Sequence, residues 1–277
     1  MTTNGPTSAA EVVRQAARDG EIDRYFAALM APVAIRDDVM AIAAFSAVIG
    51  HIPQAVHEPM MGEVRLQWWR DALLSGRQLE ATGHPIADAV AAARTRHGLP
   101  DTLLNEIIDA VFLALAAQAS EASEDASRVL AQFESRVFAL TAHVHAGAPV
   151  AGCDELFEHA GAAYGLARAL CRLPVAIASG WPPLSLVHPA NDGGARAALV
   201  ADIPRLHDIA RRSLAEVRRR QGELAPPAIA ALAPVAMVEP YLEAQSRVIA
   251  TLLDSSIEIL PLKRIWRIWR TCRRRRL

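Results

Sequence analysis

The chain has 277 residues and a mass of 29.8 kDa, is 52% hydrophobic and 21% charged, and carries a formal net charge of −1. That balance excludes a disordered or fibrous protein and is enough to bury a large core as one or two domains. Three cysteines, Cys153, Cys171 and Cys272, without CxxC spacing indicate neither a disulfide framework nor a zinc site.

Fifty-five alanines against 5% aromatic residues favour closely packed helices over sheets. Helical periodicity, punctuated by Pro, Gly and Asn/Asp clusters, predicts helices near 9–30, 34–50, 59–75, 85–97, 101–120, 123–146, 153–179, 195–222 and 238–258, with a separate segment at 261–274. Alternating strand patterns are absent. Pro226-Pro227 followed by AIAALAPVAMV reads as a turn and then a short buried helix. The longest break, from Gly180 to Gly194, is flanked by the same kind of helix on both sides, so the expected fold class is all-α. The expected organisation is a single-domain helical bundle over 20–260, a flexible amino-terminal segment over 1–19 and a basic tail over 261–277.

The charge is unevenly placed. Eight basic residues and no acid lie between Lys263 and Arg276, and the rest of the chain carries −9. An acidic body with a basic tail argues against a chain-wide nucleic-acid surface and for a local docking device. The amino terminus lacks the basic-then-apolar layout of a secretory signal, and no apolar run approaches the ~18 residues needed to span a bilayer. A soluble or peripheral protein is expected.

The densest mixture of charged and aromatic residues runs from Glu63 to Asp71. On a helix Leu66, Trp69 and Leu73 share one face, which makes an amphipathic core helix with paired charges the plainest reading. A sharper reading turns Arg65 and Arg70 toward a central cavity to hold an anion, because the planar guanidinium fork suits diphosphate. Other constellations are weaker. His143 and His145 are two apart and point to different sides of a helix; Glu106 and Asp109 lack the Glu-x-x-His partner of a bundle metal site; neither GxGxxG nor a phosphate-binding loop occurs.

The run from Arg24-Tyr25-Phe26 through Pro32, then Ala44-Phe45, then Trp69 through Leu73 resembles the opening of squalene and phytoene synthases. Ile107-Ile108-Asp109-Ala110 resembles the helix that follows, and Gly161 through Pro174, GAAYGLARALCRLP, falls where that family places its second aspartate-rich helix. The resemblance spans roughly residues 20–260 and implies an isoprenoid-synthase type of bundle. In that chemistry, ionisation of a prenyl diphosphate is assisted by magnesium ions held by carboxylates on two facing helices, magnesium being a hard cation that bridges carboxylate and phosphate oxygens.

At the decisive positions the chain departs from that pattern. Gly50-His51-Ile52-Pro53-Gln54 stands where the first aspartate cluster would lie, with no acid until Glu58. The positions matching the second pair of aspartates fall at Arg172 and Ala176, and those matching the neighbouring polar pair at Gly165 and Arg168. Arg168 and Arg172 stand one helical turn apart and would repel a metal, while remaining able to contact an anion directly.

Glu58-Pro59-Met60, Gly62-Glu63, Arg65 through Leu73, and Leu260-Pro261 with the Arg/Trp-rich stretch after it are similar to a divergent branch of the family. That branch includes a mitochondrial assembly factor for respiratory complex I and its alphaproteobacterial relatives. The resemblance thus implies a scaffold without catalytic residues, metal or cofactor, with an isoprenoid or lipid as ligand and a membrane protein complex as partner. Tyr164 joins Arg65, Arg70, Arg168 and Arg172 as candidate cavity or anion-binding residues. The competing expectation is a divergent prenyl-diphosphate transferase that couples farnesyl or geranylgeranyl diphosphate, with Mg2+ recruited by Glu58, Glu63, Asp71 or Asp109.

Independently of any resemblance, the tail PLKRIWRIWRTCRRRRL places Leu262, Ile265, Trp266, Trp269 and Cys272 on one helical stripe and Lys263, Arg267, Arg270 and Arg274 on another. Indole rings favour the headgroup level of a bilayer, and each basic residue near an anionic leaflet contributes about 1 kcal/mol. Lys263, Arg264, Trp266, Arg267, Trp269 and Arg270 are accordingly expected to touch an anionic membrane. That expectation places the protein in the cytoplasm, peripheral on the cytoplasmic face of the inner membrane. The alternative is that Ile265 and Trp269 dock on the bundle while the arginines are solvated. No nucleic-acid partner is expected, because the acidic body opposes a polyanion within a Debye length of roughly 8 Å.

Overall fold

Ser8 opens the first helix by accepting a hydrogen bond from the Glu11 N–H at 3.2 Å. In the computed structural model, which describes residues 8–56, 58–74, 81–119, 126–178, 193–248 and 257–277, that helix is α1 (Ala9–Gly20), and α2 (Ile22–Met30) follows after a single residue. The one helix expected over 9–30 is therefore two. Glu21 leaves helical backbone at φ −134° and ψ 55°, and its N–H still donates to Ala17 O. Nor are residues 9–19 the flexible segment expected of them: Val13 and Ala17, one turn apart, are buried in the core that α3 (Val33–His51) shares.

A short 3-10 turn (Ile52–Ala55) leads to α4 (Pro59–Leu74), α5 (Pro85–His97), α6 (Asp101–Ala119), α7 (Ala126–Ala146), α8 (Asp154–Ala178) and α9 (Gly193–Arg220). Their ends follow the usual signals. In α5, His84 accepts from the Ala87 N–H, Pro85 fills the first turn, and Gly98 closes the helix at φ 61°. The AIAALAPVAM stretch is buried as expected but winds as a 3-10 segment (Ala228–Met237), with Pro234 inside it unable to donate an α-helical bond. It runs directly into α10 (Val238–Arg247), and α11 (Pro261–Arg274) ends the chain. No strand occurs among the described residues. Most of the expected break at 180–194 lies outside them; the helix expected over 238–258 ends earlier, at Arg247, where Val248 leaves helical backbone at φ −128° and ψ 23°, and residues 257 and 258 are not helical.

The all-α bundle is built around α7, which serves two cores at once. Phe138 and Ala142 face a cluster shared with α8, α9, the 3-10 segment and α11, while Phe133, Val137, Leu140 and Val144 face one shared with α1, α3, α4, α5 and α6. Leu66, Trp69 and Leu73 are buried in the second cluster, the face of α4 that periodicity assigns to the core. His143 is buried with Nε2 3.1 Å from His97 O, and burial pushes the neighbouring His145 down to about 4.

α7 and α8 approach more closely than ordinary side chains allow. A Cβ built on Gly161 would strike Ala131 O and lie 2.7 Å from Ser135 N, and one on Gly165 would lie 2.9 Å from Leu130 Cγ. The two glycines therefore set the distance between these helices. Because the obstacle at Gly161 is backbone, Gly161→Ala is predicted to cost ~2 kcal/mol or more, a fall of about 4 °C or more in melting temperature. Gly222→Ala, with nothing within 4 Å of its Cβ, is the matched control and is expected to stay within about 0.5 kcal/mol of the parent.

Candidate functional site

Residues between Ala16 and Arg172 gather around one cavity. The carboxyl end of α1, the end of α3 with its 3-10 turn, α4, α6, α7 and α8 enclose about 820 Å3, within the roughly 300–1,000 Å3 typical of small-molecule sites. Ala47, Val48, Ala110, Val111, Ala114, Leu130, Phe133 and Ala169 make an apolar wall, with Trp68 and Trp69 beside it. The polar end holds Asp19, Glu21, His51, Arg65, Glu134, Arg168 and Arg172.

Two of those acids belong to a closed ring of four charges. Glu134 Oε2 accepts from Arg24 Nη2 at 2.7 Å and its Oε1 from Arg168 Nη1 at 3.2 Å. Across the ring Glu21 pairs with Arg168 Nη2 at 2.6 Å and with Arg24 Nη1 at 3.3 Å. Each carboxylate holds two guanidiniums and each guanidinium two carboxylates. The Glu21, Glu134 and Arg24 side chains are 3%, 1% and 6% exposed, so water screens little of this attraction. Burial raises the Glu21 carboxyl against the pull of Arg168 and Arg24. Burial also disfavours the Arg168 charge, but Glu21, Tyr164 and Glu134 overcome that and hold the guanidinium well above its usual value. Arg168 further donates to Gly20 O at 2.6 Å, at the break between α1 and α2 that exposes this carbonyl.

Behind the ring lies a further buried carboxylate. Asp23, 1% exposed, accepts from the Tyr164 hydroxyl at 3.0 Å and the Tyr241 hydroxyl at 2.6 Å, and pairs with Arg264 of α11. Arg264 also donates to the Tyr241 oxygen at 2.8 Å. Tyr164 joins the two groups, since its ring stacks under the Arg24 guanidinium at 5.2 Å.

The five cavity candidates thus separate. Arg65, Arg168 and Arg172 line the cavity. Tyr164 is fully buried behind the ring, bonded to Asp23. Arg70 is not on the cavity wall; five residues after Arg65, it lies about 140° around the helix and is spent on α6, where it bonds Asn105 Oδ1 at 2.9 Å, pairs with Asp109 and stacks over Phe112. Glu58, Glu63, Asp71 and Asp109, the acids that a transferase was expected to recruit, do not line the cavity either. Glu21, Arg24 and Glu134 were missed by sequence reasoning. The available signal was Glu134 itself, which sits in the FESRVF run at helical spacing from Leu130 and Phe138 and so on an apolar face.

Magnesium does not fit this donor set. It demands near-octahedral oxygen coordination, whereas the converging oxygens of Glu21 and Glu134 already receive guanidinium N–H groups. Among the described residues no group of three or more His, Cys, Asp or Glu side chains is placed to hold a metal ion. Asp19, the remaining acid on the wall, is exposed and takes both its hydrogen bonds from Gln15.

The tail helix is docked rather than free, and by other residues than Ile265 and Trp269. Ile268 and Thr271 are buried, Arg264 reaches Asp23, Arg267 bonds Glu239 at 3.2 Å, and Lys263 bonds Glu243 at 3.4 Å. Spacing of four and then three residues puts 264, 268 and 271 on the inner face. Leu262, Trp266 and Trp269 are left on the outer face, 81%, 52% and 45% exposed, with Arg270 stacked on Trp266. Of the expected membrane-contact set, Arg264 is therefore committed to the interior. No helix among the described residues is long and apolar enough to cross a membrane.

A family model described as squalene/phytoene synthase matches residues 17–261. Among solved structures, the squalene synthase HpnC from Alicyclobacillus acidocaldarius is 17% identical, with a TM-score of 0.61 over 87% of this chain and 94% of that one. A dehydrosqualene synthase in complex with ligand is 12% identical, with a TM-score of 0.69 over 96% of each chain. No curated protein matches the sequence. The structural likeness is one of fold.

Removing one member of the buried ring leaves its partners' charges without compensation. Glu134→Ala is predicted to destabilise the protein by about 3–5 kcal/mol, whereas Asp208→Ala, which breaks an exposed pair with Arg211, should cost about 1 kcal/mol or less. Urea unfolding of the two variants side by side measures the difference.

Proposed function

Because the chain belongs to the squalene/phytoene synthase family and its buried cavity carboxylates are already paired with arginines, we propose that it holds an isoprenoid or lipid without coupling prenyl diphosphates. The supporting observation is the ring. Departure of diphosphate needs added positive charge at the leaving group, and two carboxylates matched to two guanidiniums supply no net charge and no open oxygen for a divalent ion. What remains is an apolar cavity large enough to bury one chain.

The proposed place of action is an anionic membrane surface, in the cytoplasm. Leu260, just before α11, and Leu262, Trp266 and Trp269 along it are exposed, and Arg273, Arg274, Arg275 and Arg276 follow at the exposed end of the helix. Exposed indoles beside arginines suit the headgroup region, where apolar contact and attraction to anionic lipid act together. The proposed role there is that of an accessory to a membrane complex, respiratory complex I being the one that the divergent branch implies.

Purified full-length protein supplied with Mg2+ and farnesyl or geranylgeranyl diphosphate should release no coupled product, and solvent extraction of the same preparation should yield an isoprenoid or lipid. Coupling at an ordinary enzymatic rate would overturn the reading. Sedimentation with vesicles containing anionic lipid should be lost when Trp266 and Trp269 are both changed to Ala, with the melting temperature nearly unchanged because both rings face outward.

A further inference from the structure

A cavity ligand with a polar end needs that end satisfied at the mouth, since a polar group buried without a partner loses its hydration uncompensated. Three of the five candidate anion-binding residues are already used inside the fold, Arg70 on Asp109, Arg168 on the ring and Tyr164 on Asp23. Two are not. Arg172 is exposed on the cavity wall, and among the described residues its one hydrogen bond is a long one, 3.4 Å to Gly20 O. Arg65, also exposed on that wall, has no hydrogen bond or ion pair among the described residues.

The ring behind them is neutral, so these two guanidiniums give the mouth its positive charge, with Asp19 the one facing acid outside the ring among the described residues. Arg172 is also held in an unfavourable place: the neighbouring Arg168 charge pushes its guanidinium below the usual value, with burial adding to the effect. An anion at the mouth would relieve that repulsion. Guanidinium forks match tetrahedral oxyanions, offering paired N–H donors to oxygens that share one charge.

We propose that Arg172 and Arg65 grip the phosphoryl headgroup of a single-chain lipid whose apolar chain lies in the cavity, with no divalent metal between protein and phosphate. This rests on the lipid-holding reading and adds the head chemistry to it. The guest is anionic at one end, apolar along the rest, and indifferent to chelators. The arginines replace the metal as the source of positive charge, and they do so at the mouth because the interior charges cancel.

The test is calorimetric titration of the full-length chain in EDTA with farnesyl monophosphate, farnesol and inorganic phosphate in turn. Farnesyl monophosphate is expected to bind about tenfold or more tightly than farnesol, equally well when Mg2+ replaces EDTA, and more tightly than inorganic phosphate. Arg172→Gln and Arg65→Gln should each bring it toward the farnesol value, with Arg172→Lys intermediate; both side chains are exposed, so melting temperatures should not change. Equal binding of farnesol and farnesyl monophosphate, with silent arginine variants, would overturn the headgroup proposal and leave the lipid-holding reading intact. Binding of phosphate without its chain, at the same affinity, would likewise overturn it. Failure of farnesol and farnesyl monophosphate alike would sink both.

Discussion

Four charges buried together impose the central constraint on this molecule. A carboxylate or guanidinium taken out of water loses several kcal/mol of hydration that only close opposite charges and hydrogen bonds restore. Glu21, Arg24, Glu134 and Arg168 meet that demand by closing on one another, so that neither acid can turn toward a guest without abandoning a buried cation. The same closure decides what the cavity can do. In a bundle of this family the polar end is where a leaving diphosphate would be neutralised, and here the carboxylates of the ring at that end are neutralised by internal pairing.

The ring also depends on features far from it in sequence. Gly161 and Gly165 let α8 settle onto α7, which brings Arg168 within reach of Glu134. The one-residue break at Glu21 separates α1 from α2 and lets Gly20 O accept from Arg168. Tyr164 carries the polar system onward to Asp23, and Asp23 fastens α11 through Arg264. The tail that presents tryptophans outward is thus held by a carboxylate next in sequence to Arg24 of the ring. Its basic residues divide accordingly, some fixing the helix to the bundle and others, toward its end, left at the surface.

The fold was legible in the sequence because it is written in local patterns. Alanine-rich helical periodicity placed nearly every helix, and the buried face of α4 followed from the spacing of Leu66, Trp69 and Leu73. The break at Glu21 had one local signal, the Asp19-Gly20 pair, but the apolar periodicity resumes directly after it and hides the turn. The ordinary paired-charge reading of α4 proved apt for Arg70, which binds Asp109 on the next helix. The ring escaped notice for a physical reason. Its members lie 3 to 147 residues apart, and no spacing rule links a charge on α2 to charges on α7 and α8 before the helices are packed. The arginines at 168 and 172 read as repelling a metal; for Arg168 the stronger fact is that two unforeseen glutamates hold it.

The most direct measurement is Mn2+ titration of the full-length chain followed by electron paramagnetic resonance. A ring already filled by guanidiniums predicts that the metal stays free in solution, in the parent and in Glu134→Gln alike. Manganese immobilised at micromolar concentration in the parent, and released by Glu134→Gln, would mean that these carboxylates are open to a divalent ion and would contradict the account.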